Sequence, residues 1–383
     1  MKSKIRFLLT AALIPLVASV LASCSPRSIV LGFQGPLTGS AADLGVQGRN
    51  GALLAVETIN AAGGVRGRSL RLEPRDDCND QQVAHDLVEA FREDGVEVVI
   101  GPMTSVAGVA VAERVAETGP LYISPTVSTA RVSGRDDYFF RLEGATDRQA
   151  EALGDFVAVS ALAERVAIVL DTGNSEYSIP YMAAFTEGLT DSGGTVVQSL
   201  ELALDGGHRW NRAIATIADE QPDAVLVIAS AADTARFAQA VRSENLNWDL
   251  LASGWAATET LFTLGGAAVE GMVLARTSYS SLSDTEQGMD FRNRFAIRFG
   301  KTPSFAASQA YDAVLLVAGA LERSAPVASE LREEVSTVTL LDTLLGPVTF
   351  DQFGDIEPSA TIVRVEQSDF VEVVVYGDNA GSQ

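Results

Sequence analysis

Short apolar runs alternate with longer stretches in which apolar residues recur every three or four positions. Residues 28–33 form an apolar run of strand length. Val46, Leu53, Leu54, Val56 and Ile59 then fall at largely helical spacing over 46–61, before Gly63-Gly64 stops the pattern. The alternation goes on through a strand at 70–73, a helix at 80–93, a strand at 96–100, a helix at 105–117 and a strand at 121–124. A second series has helices at 147–161, 177–191, 210–219 and 233–244 and strands at 165–170, 195–202, 224–229 and 250–252. The tail differs, with helices at 284–299, 304–323 and 329–335 ahead of β-rich 348–350, 361–365 and 370–376. Strands alternating with helices of this length build a parallel sheet covered on both faces. Two such series predict an α/β chain of two similar lobes. No Gly/Ser-rich or Pro-rich linker separates them, so the chain is expected to cross between lobes more than once.

The N-terminus does not belong to that pattern. Lys2, Lys4 and Arg6 form a basic head, and 7–21 is apolar except for Thr10, Pro15 and Ser19, which is the layout of a secretory signal. The run is short for a permanent anchor, which needs about 20 predominantly apolar residues. Leu21-Ala22-Ser23-Cys24 matches the bacterial lipobox. In the proteins it resembles, the thiol receives a diacylglyceryl group and the peptide is cut before the cysteine. Residues 1–23 are therefore expected to be a lipoprotein signal peptide and Cys24 the lipidation site. The alternative is ordinary signal cleavage nearby, leaving a free Cys24. Either way the chain is expected outside the cytoplasm, as a membrane-anchored lipoprotein facing the periplasm or cell exterior in the first case.

At 383 residues the chain exceeds one ordinary core, and 47% hydrophobic with 20% charged residues is a globular composition. Residues 1–23 hold three basic and no acidic residues, so the remainder sets 25 basic against 50 acidic residues. Nucleic acid and anionic membrane surfaces are poor partners for such a charge, and the membrane is expected to be touched only through the lipid anchor. With Cys24 lipidated, Cys78 has no cysteine to pair with, and the cores must hold the fold.

Catalytic machinery is absent from the sequence pattern. His85 and His208 have no second histidine or carboxylate at metal-ligand spacing, and no G-x-S-x-G elbow, P-loop or dinucleotide G-x-G-x-x-G occurs. No nucleophile stands with a base, so neither an enzyme nor a cofactor or metal is expected. The adjacent pairs Asp76-Asp77 and Asp136-Asp137 read as turns and caps. A ligand site remains, and an open parallel sheet places it beyond the carboxyl ends of the strands. Two segments lie there: Gly101-Pro102-Met103-Thr104-Ser105 and Ser124-Pro125-Thr126-Val127-Ser128-Thr129. A hydroxyl residue leading into a helix offers an oxygen and free backbone N–H groups, which suit a carboxylate. Each segment alone is an ordinary cap or turn; two on successive strand ends face one another and point to a small-molecule site.

Read together, these residues resemble the periplasmic leucine/isoleucine/valine-binding proteins of ABC importers, the type I periplasmic binding fold. The resemblance is carried by Gly35-Pro36-Leu37-Thr38-Gly39, by Gly51-Ala52 through Ile59-Asn60 with Gly63-Gly64-Val65-Arg66-Gly67, by Asp76-Asp77-Cys78, and by Val99-Ile100-Gly101-Pro102 with Ser124-Pro125. Ala167-Ile168-Val169, Val269-Glu270-Gly271, Ala310-Tyr311-Asp312-Ala313 and Gly346-Pro347-Val348-Thr349-Phe350-Asp351 follow in the family's order. It implies two Rossmann-like lobes with parallel-rich sheets, 28–142 plus 281–358 and 143–280 plus 359–378, joined by three hinge crossovers near 142–147, 276–280 and 357–361.

Position by position, the resemblance assigns Ser105 and Ser128, with Thr104 beside the first, to the ligand carboxylate. It assigns Thr126 to a backbone carbonyl that accepts from the ligand ammonium, and Tyr177 to a stacking position. The family's first-loop tyrosine falls on Leu44 and a second-lobe tyrosine on Ser230. The acidic residue that pairs with the ammonium falls on Gly254 or Trp255. A buried ammonium without a partner is costly, so either Glu176 or Glu259 takes that place or the ligand is not a conventional α-amino acid. Trp255 either covers the ligand or packs in a core. The resemblance implies a monomeric clamp that captures a small amino acid or carboxylate and delivers it to ABC permease subunits. A sensory lipoprotein reporting to a receptor or regulator is the alternative.

Overall fold

The computed structural model of the chain describes residues 28–204, 210–277, 285–337, 343–344, 348–357 and 359–376. The signal segment, Cys24, His208, Gly346-Pro347 and parts of the second and third crossovers lie outside the described residues.

The first series is β1 (Ile29–Gly35), α1 (Ala42–Ala61), β2 (Leu70–Asp76), α2 (Gln81–Glu93), β3 (Val98–Ile100), α3 (Ser105–Arg114), β4 (Leu121–Ser124) and β5 (Phe139–Arg141). The second is α4 (Asp147–Val159), β6 (Arg165–Asp171), α5 (Ser175–Asp191), β7 (Thr195–Leu202), α6 (Trp210–Asp219), β8 (Ala224–Ile228), α7 (Ala231–Ser243), β9 (Asp249–Ala252), α8 (Glu259–Gly265) and β10 (Val273–Arg276). The tail contributes α9 (Glu286–Phe299), α10 (Phe305–Leu321), α11 (Ala328–Thr337), β11 (Ala360–Glu366) and β12 (Asp369–Tyr376).

Two sheets result. One runs β2-β1-β3-β4-β5, all parallel, and the other β12-β11-β10-β9-β8-β6-β7, parallel except where β11 and β12 turn back antiparallel. β3, β4 and β8 are buried at every position, as strands covered on both faces must be. α2 shows how the helices earn their place: Asp80 accepts from the N–H groups of Gln82 and Val83, and Ala84, Val88 and Phe91 form the one buried stripe.

The tail divides between the sheets. Phe291, Phe295 and the apolar residues of α10 and α11 join β1 and α1 in one core, whereas Val363 and Val365 of β11 join the second sheet's cores. The chain therefore returns to the first sheet before ending on the second. Arg141, only 1% exposed, anchors these passages where β5 ends. Its Nε donates to Asp355 Oδ1 at 2.6 Å, its Nη1 to the Thr129 carbonyl at 2.8 Å, and its Nη2 to Ser133 Oγ.

Short elements are where the pattern fell short. β5 has three residues and β10 four, too few to show a period, and α8 has seven; none of these was expected. Residues 348–350, expected as a strand, shrink to a single β-bridge residue at Val348. Phe350 is buried there through its side chain, packed edge-to-face on Phe140 with ring centroids 5.3 Å apart. Among the described residues no helix is long and apolar enough to cross a membrane.

Glycine permits the closest helix contact. A Cβ on Gly51 of α1 would stand 1.9 Å from the Ala307 carbonyl oxygen of α10. Gly51→Ala should therefore destabilise the chain by about 1–3 kcal/mol through overpacking, measured as a lower urea midpoint with unchanged slope.

Candidate functional site

A cavity of about 480 Å³ opens between the two sheets at the carboxyl ends of their strands. All six ligand residues expected from sequence line it: Thr104, Ser105, Thr126, Ser128, Tyr177 and Trp255.

The first wall is set by backbone. Gly101 has φ +122°, and a Cβ there would lie 2.1 Å from the Gln34 carbonyl oxygen, so only glycine lets the chain leave β3 in this direction. The turn delivers Thr104 to the N-cap position of α3, yet its side chain makes no capping bond. Thr104 Oγ1 is buried without a hydrogen-bond partner among the described residues and borders the cavity, a hydroxyl left available for a ligand. The two hydroxyl-rich turns do meet. Thr126 Oγ1 donates to the Met103 carbonyl at 2.5 Å, and Ser124 Oγ donates to the Pro102 carbonyl at 2.8 Å. Ser128 is tied to the first crossover, its carbonyl accepting from Thr146 N–H at 2.8 Å.

The second wall is aromatic. Tyr177 and Trp255 pack edge-to-face with centroids 5.8 Å apart. At 7% and 8% exposure both belong to a core of the second sheet while also bordering the cavity. Trp255 thus packs in a core and borders the cavity at once. The Tyr177 hydroxyl sits among Ser253, Thr146 and the Trp255 backbone, and burial pushes its pKa up to about 12, so it stays neutral.

The acidic candidates separate. Glu176 lies off the cavity wall and pairs with Arg131 Nη1 at 2.5 Å. Glu259 borders the cavity, with Thr302 N–H and Oγ1 donating to it at 3.1 and 3.0 Å. Ser230, where a family tyrosine falls, is off the wall; it caps α7 and donates to Asp233 Oδ2 at 2.9 Å.

Sequence reasoning missed Glu143, in the first crossover. Its carboxylate is 5% exposed, borders the cavity, and accepts from Gln149 Nε2 at 2.9 Å, from Gln309 Nε2 at 2.6 Å and from Thr277 Oγ1. Glu143 precedes α4 and Thr277 follows β10, so no periodicity marks either. A glutamate at a place where the chain changes sheets was the only available signal. Arg276, Phe262 and Phe370 were missed too; they border the cavity, with the Arg276 guanidinium 5.5 Å from the Phe370 ring centre.

Several bonds bridge the cleft. Asn79 Nδ2 donates to the Gly173 carbonyl at 2.9 Å, Val106 N–H to Asn174 Oδ1 at 3.1 Å, and Thr258 Oγ1 to Asp43 Oδ2 at 2.8 Å. The acidic pair Asp76-Asp77 shapes one of these bridges. Asp76 Oδ1 accepts from Leu37 and Cys78 N–H, both at 2.8 Å, and Asp77 Oδ1 from Asn79 N–H at 3.0 Å.

Residues 28–369 match the sequence model of a family described as periplasmic binding protein. The Leu/Ile/Val-binding protein BraC3 of Rhizobium johnstonii is 27% identical over 360 residues, covering 91% of this chain and 94% of its own. The branched-chain amino acid transporter substrate-binding protein LivJ of Streptococcus pneumoniae, solved with isoleucine, superimposes with a TM-score of 0.81 at 21% identity, covering 90% of this chain and 99% of that one. A solute-binding protein of an ABC transporter from R. palustris, solved with benzoate, gives 0.81 at 20% identity, covering 92% and 98%. At such identities the two structures share its fold.

Burial pushes the Asp77 carboxyl from its usual 3.8 up to about 7. The folded chain then binds this proton more tightly than the unfolded chain, so stability should fall as pH rises from about 4 to 7. Asp77→Asn should remove that part of the decline. Thermal melts are expected to show the variant gaining on the parent protein at pH 8 relative to pH 4; parallel curves would rule the effect out.

Proposed function

The chain belongs to the periplasmic binding protein family, and from that premise we propose that it is the extracytoplasmic solute-binding component of an ABC importer. It captures a small amino acid or related carboxylate between its lobes and hands it to a membrane permease. The observation that carries this reading is the pair of hydroxyl-rich turns, bonded to each other at the strand ends, with the unpartnered Thr104 Oγ1 on the cavity wall. Such a site offers donors to a carboxylate, which suits its capture.

In this reading Thr104, Ser105 and Ser128 hold the carboxylate, Thr126 offers its carbonyl, and Tyr177 and Trp255 close over the rest. The lobes are 28–142 plus 281–358 and 143–280 plus 359–378, turning on crossovers near 142–147, 276–280 and 357–361. The bonds across the cleft belong to the closed clamp, and the ligand acts by stabilising it more than the open one. A relative named for leucine, isoleucine and valine, and structural neighbours holding isoleucine or benzoate, make amino acids and plain carboxylates the classes to try first. The clamp works as a monomer, tethered through a diacylglyceryl group on Cys24, since two acyl chains hold where one is marginal.

A thermal-shift screen across amino acids, amides, and aliphatic and aromatic carboxylates identifies the ligand, because a compound at 100 times its Kd adds about 2.7 kcal/mol of stability. Replacing Ser105 and Ser128 together by Ala should abolish that shift while leaving the unliganded melting temperature within a few degrees; retained affinity sinks the carboxylate site. Cys24→Ser should move the exported protein from the detergent phase to the aqueous phase on extraction.

A further inference from the structure

We infer that Asn174 caps α3 from the opposite lobe, so that closing the clamp completes a helix end which the first lobe leaves unfinished. The inference rests on the two-lobe clamp of the proposed function, though not on what the clamp holds.

Two helices begin at the cleft with residues of capping type that do not cap their own helix. Thr104 stands at the N-cap of α3 and Asn174 at the N-cap of α5, and neither side chain bonds its own first turn. Thr and Asn in that place ordinarily accept from the N–H of the second or third helical residue. In α3 the second helical residue is Val106, and its N–H donates to Asn174 Oδ1 at 3.1 Å. The acceptor that α3 would draw from its own Thr104 is thus supplied by the second lobe. Only the oxygen of an amide can accept from an N–H, so the same bond fixes which way round the Asn174 side chain lies. Asn174 is 4% exposed, and both it and Thr104 border the cavity.

The turn that presents Asn174 is braced within its own lobe. Asp171 Oδ1 accepts from Gly173 N–H at 2.9 Å and from Leu204 N–H at 3.2 Å, while Ser178 Oγ bonds the carbonyls of Asp171 and Asn174 at 2.5 and 3.2 Å. Two other contacts with the first lobe flank the cap: the Gly173 carbonyl accepts from Asn79 Nδ2, and Glu176 pairs with Arg131. Gly173 and Arg131 are exposed, whereas Asn174 is buried. Water weakens the flanking contacts, and the shielded bond is the strongest candidate to govern closure. It also joins the two cavity walls, because Val106 follows Thr104 and Ser105 while Tyr177 lies three residues beyond Asn174 on α5. Whatever brings those walls together makes the cap, and by linkage the cap favours their meeting. Asn174 is in this sense a positioning residue.

Amide hydrogen exchange over residues 104–108, followed by mass spectrometry on the protein without added ligand, tests the cap. Asn174→Ala should speed exchange there about two- to thirtyfold, the range that loss of an N-cap oxygen gives, while exchange in α2 and β8 stays as it was. Asn174→Asp keeps an acceptor oxygen at the same reach and adds a charge that a helix N-terminus favours, so it should exchange as slowly as the parent protein or more slowly. Unchanged exchange in Asn174→Ala, an equal acceleration in Asn174→Asp, or a rise shared by α2 and β8 overturns the inference. Should Asn174→Ala fail to fold, Asn174→Ser, whose hydroxyl ends one bond short of the amide oxygen, takes its place with the same expectation. If Asn174→Ala leaves exchange at 104–108 unaffected, yet a compound from the thermal-shift screen slows it in parent and variant alike, the clamp stands and only the cap falls.

Discussion

The passage of the chain from its first sheet to its second depends on the buried cation of Arg141. At the end of β5 it pairs with Asp355, which precedes the third crossover, and bonds the Thr129 carbonyl and Ser133 of the turn that also carries Ser128. Removing one partner of a buried ion pair typically costs 3–5 kcal/mol, because the remaining charge stays dry and unpaired. Backbone bonds continue the tie, with Leu142 N–H on the Ser124 carbonyl at 2.9 Å and Thr146 N–H on the Ser128 carbonyl at 2.8 Å. One cluster thus joins two crossovers to the strand ends that form the cavity wall.

From that cluster the chemistry of the cavity follows. Parallel strands bring their carboxyl ends to one edge, and each next helix begins there with unspent N–H groups. The first sheet therefore meets the cleft with donors: the turn at Thr104 and Ser105 and the turn through Thr126 and Ser128. The second sheet meets it with rings, Tyr177 and Trp255, set against each other edge-to-face. Between them the crossover inserts Glu143, whose donors come from both lobes. The cavity thus has hydroxyl residues on one side and an aromatic wall on the other.

The bonds over the cleft fit the same scheme. Asn79 to Gly173, Val106 to Asn174, and Thr258 to Asp43 are single contacts, set beside the Arg131–Glu176 pair and the bonds of Thr302 to Glu259. Each is worth about 0.5–1.5 kcal/mol net, enough to favour closure without locking it.

How much of this was legible in the sequence depended on length. Long amphipathic stretches such as α2, and seven-residue apolar strands such as β6, declare themselves because their burial repeats along the chain. The hydroxyl turns at 101–105 and 124–129 were readable for a related reason, since each follows such a strand and strand ends face the cleft. β5, β10 and α8 were not, being too short to repeat anything. Glu143 was hidden more deeply. Gln149 and Thr277 lie 6 and 134 positions away, and Gln309 lies 166, so no local pattern could join them. The sequence by itself determined which segments bury and in what order the sheets are wound, because those follow from local periodicity. Only the tertiary structure decided that Glu143 is buried on the cavity wall, because that is settled where the chain crosses between sheets and side chains distant along it converge.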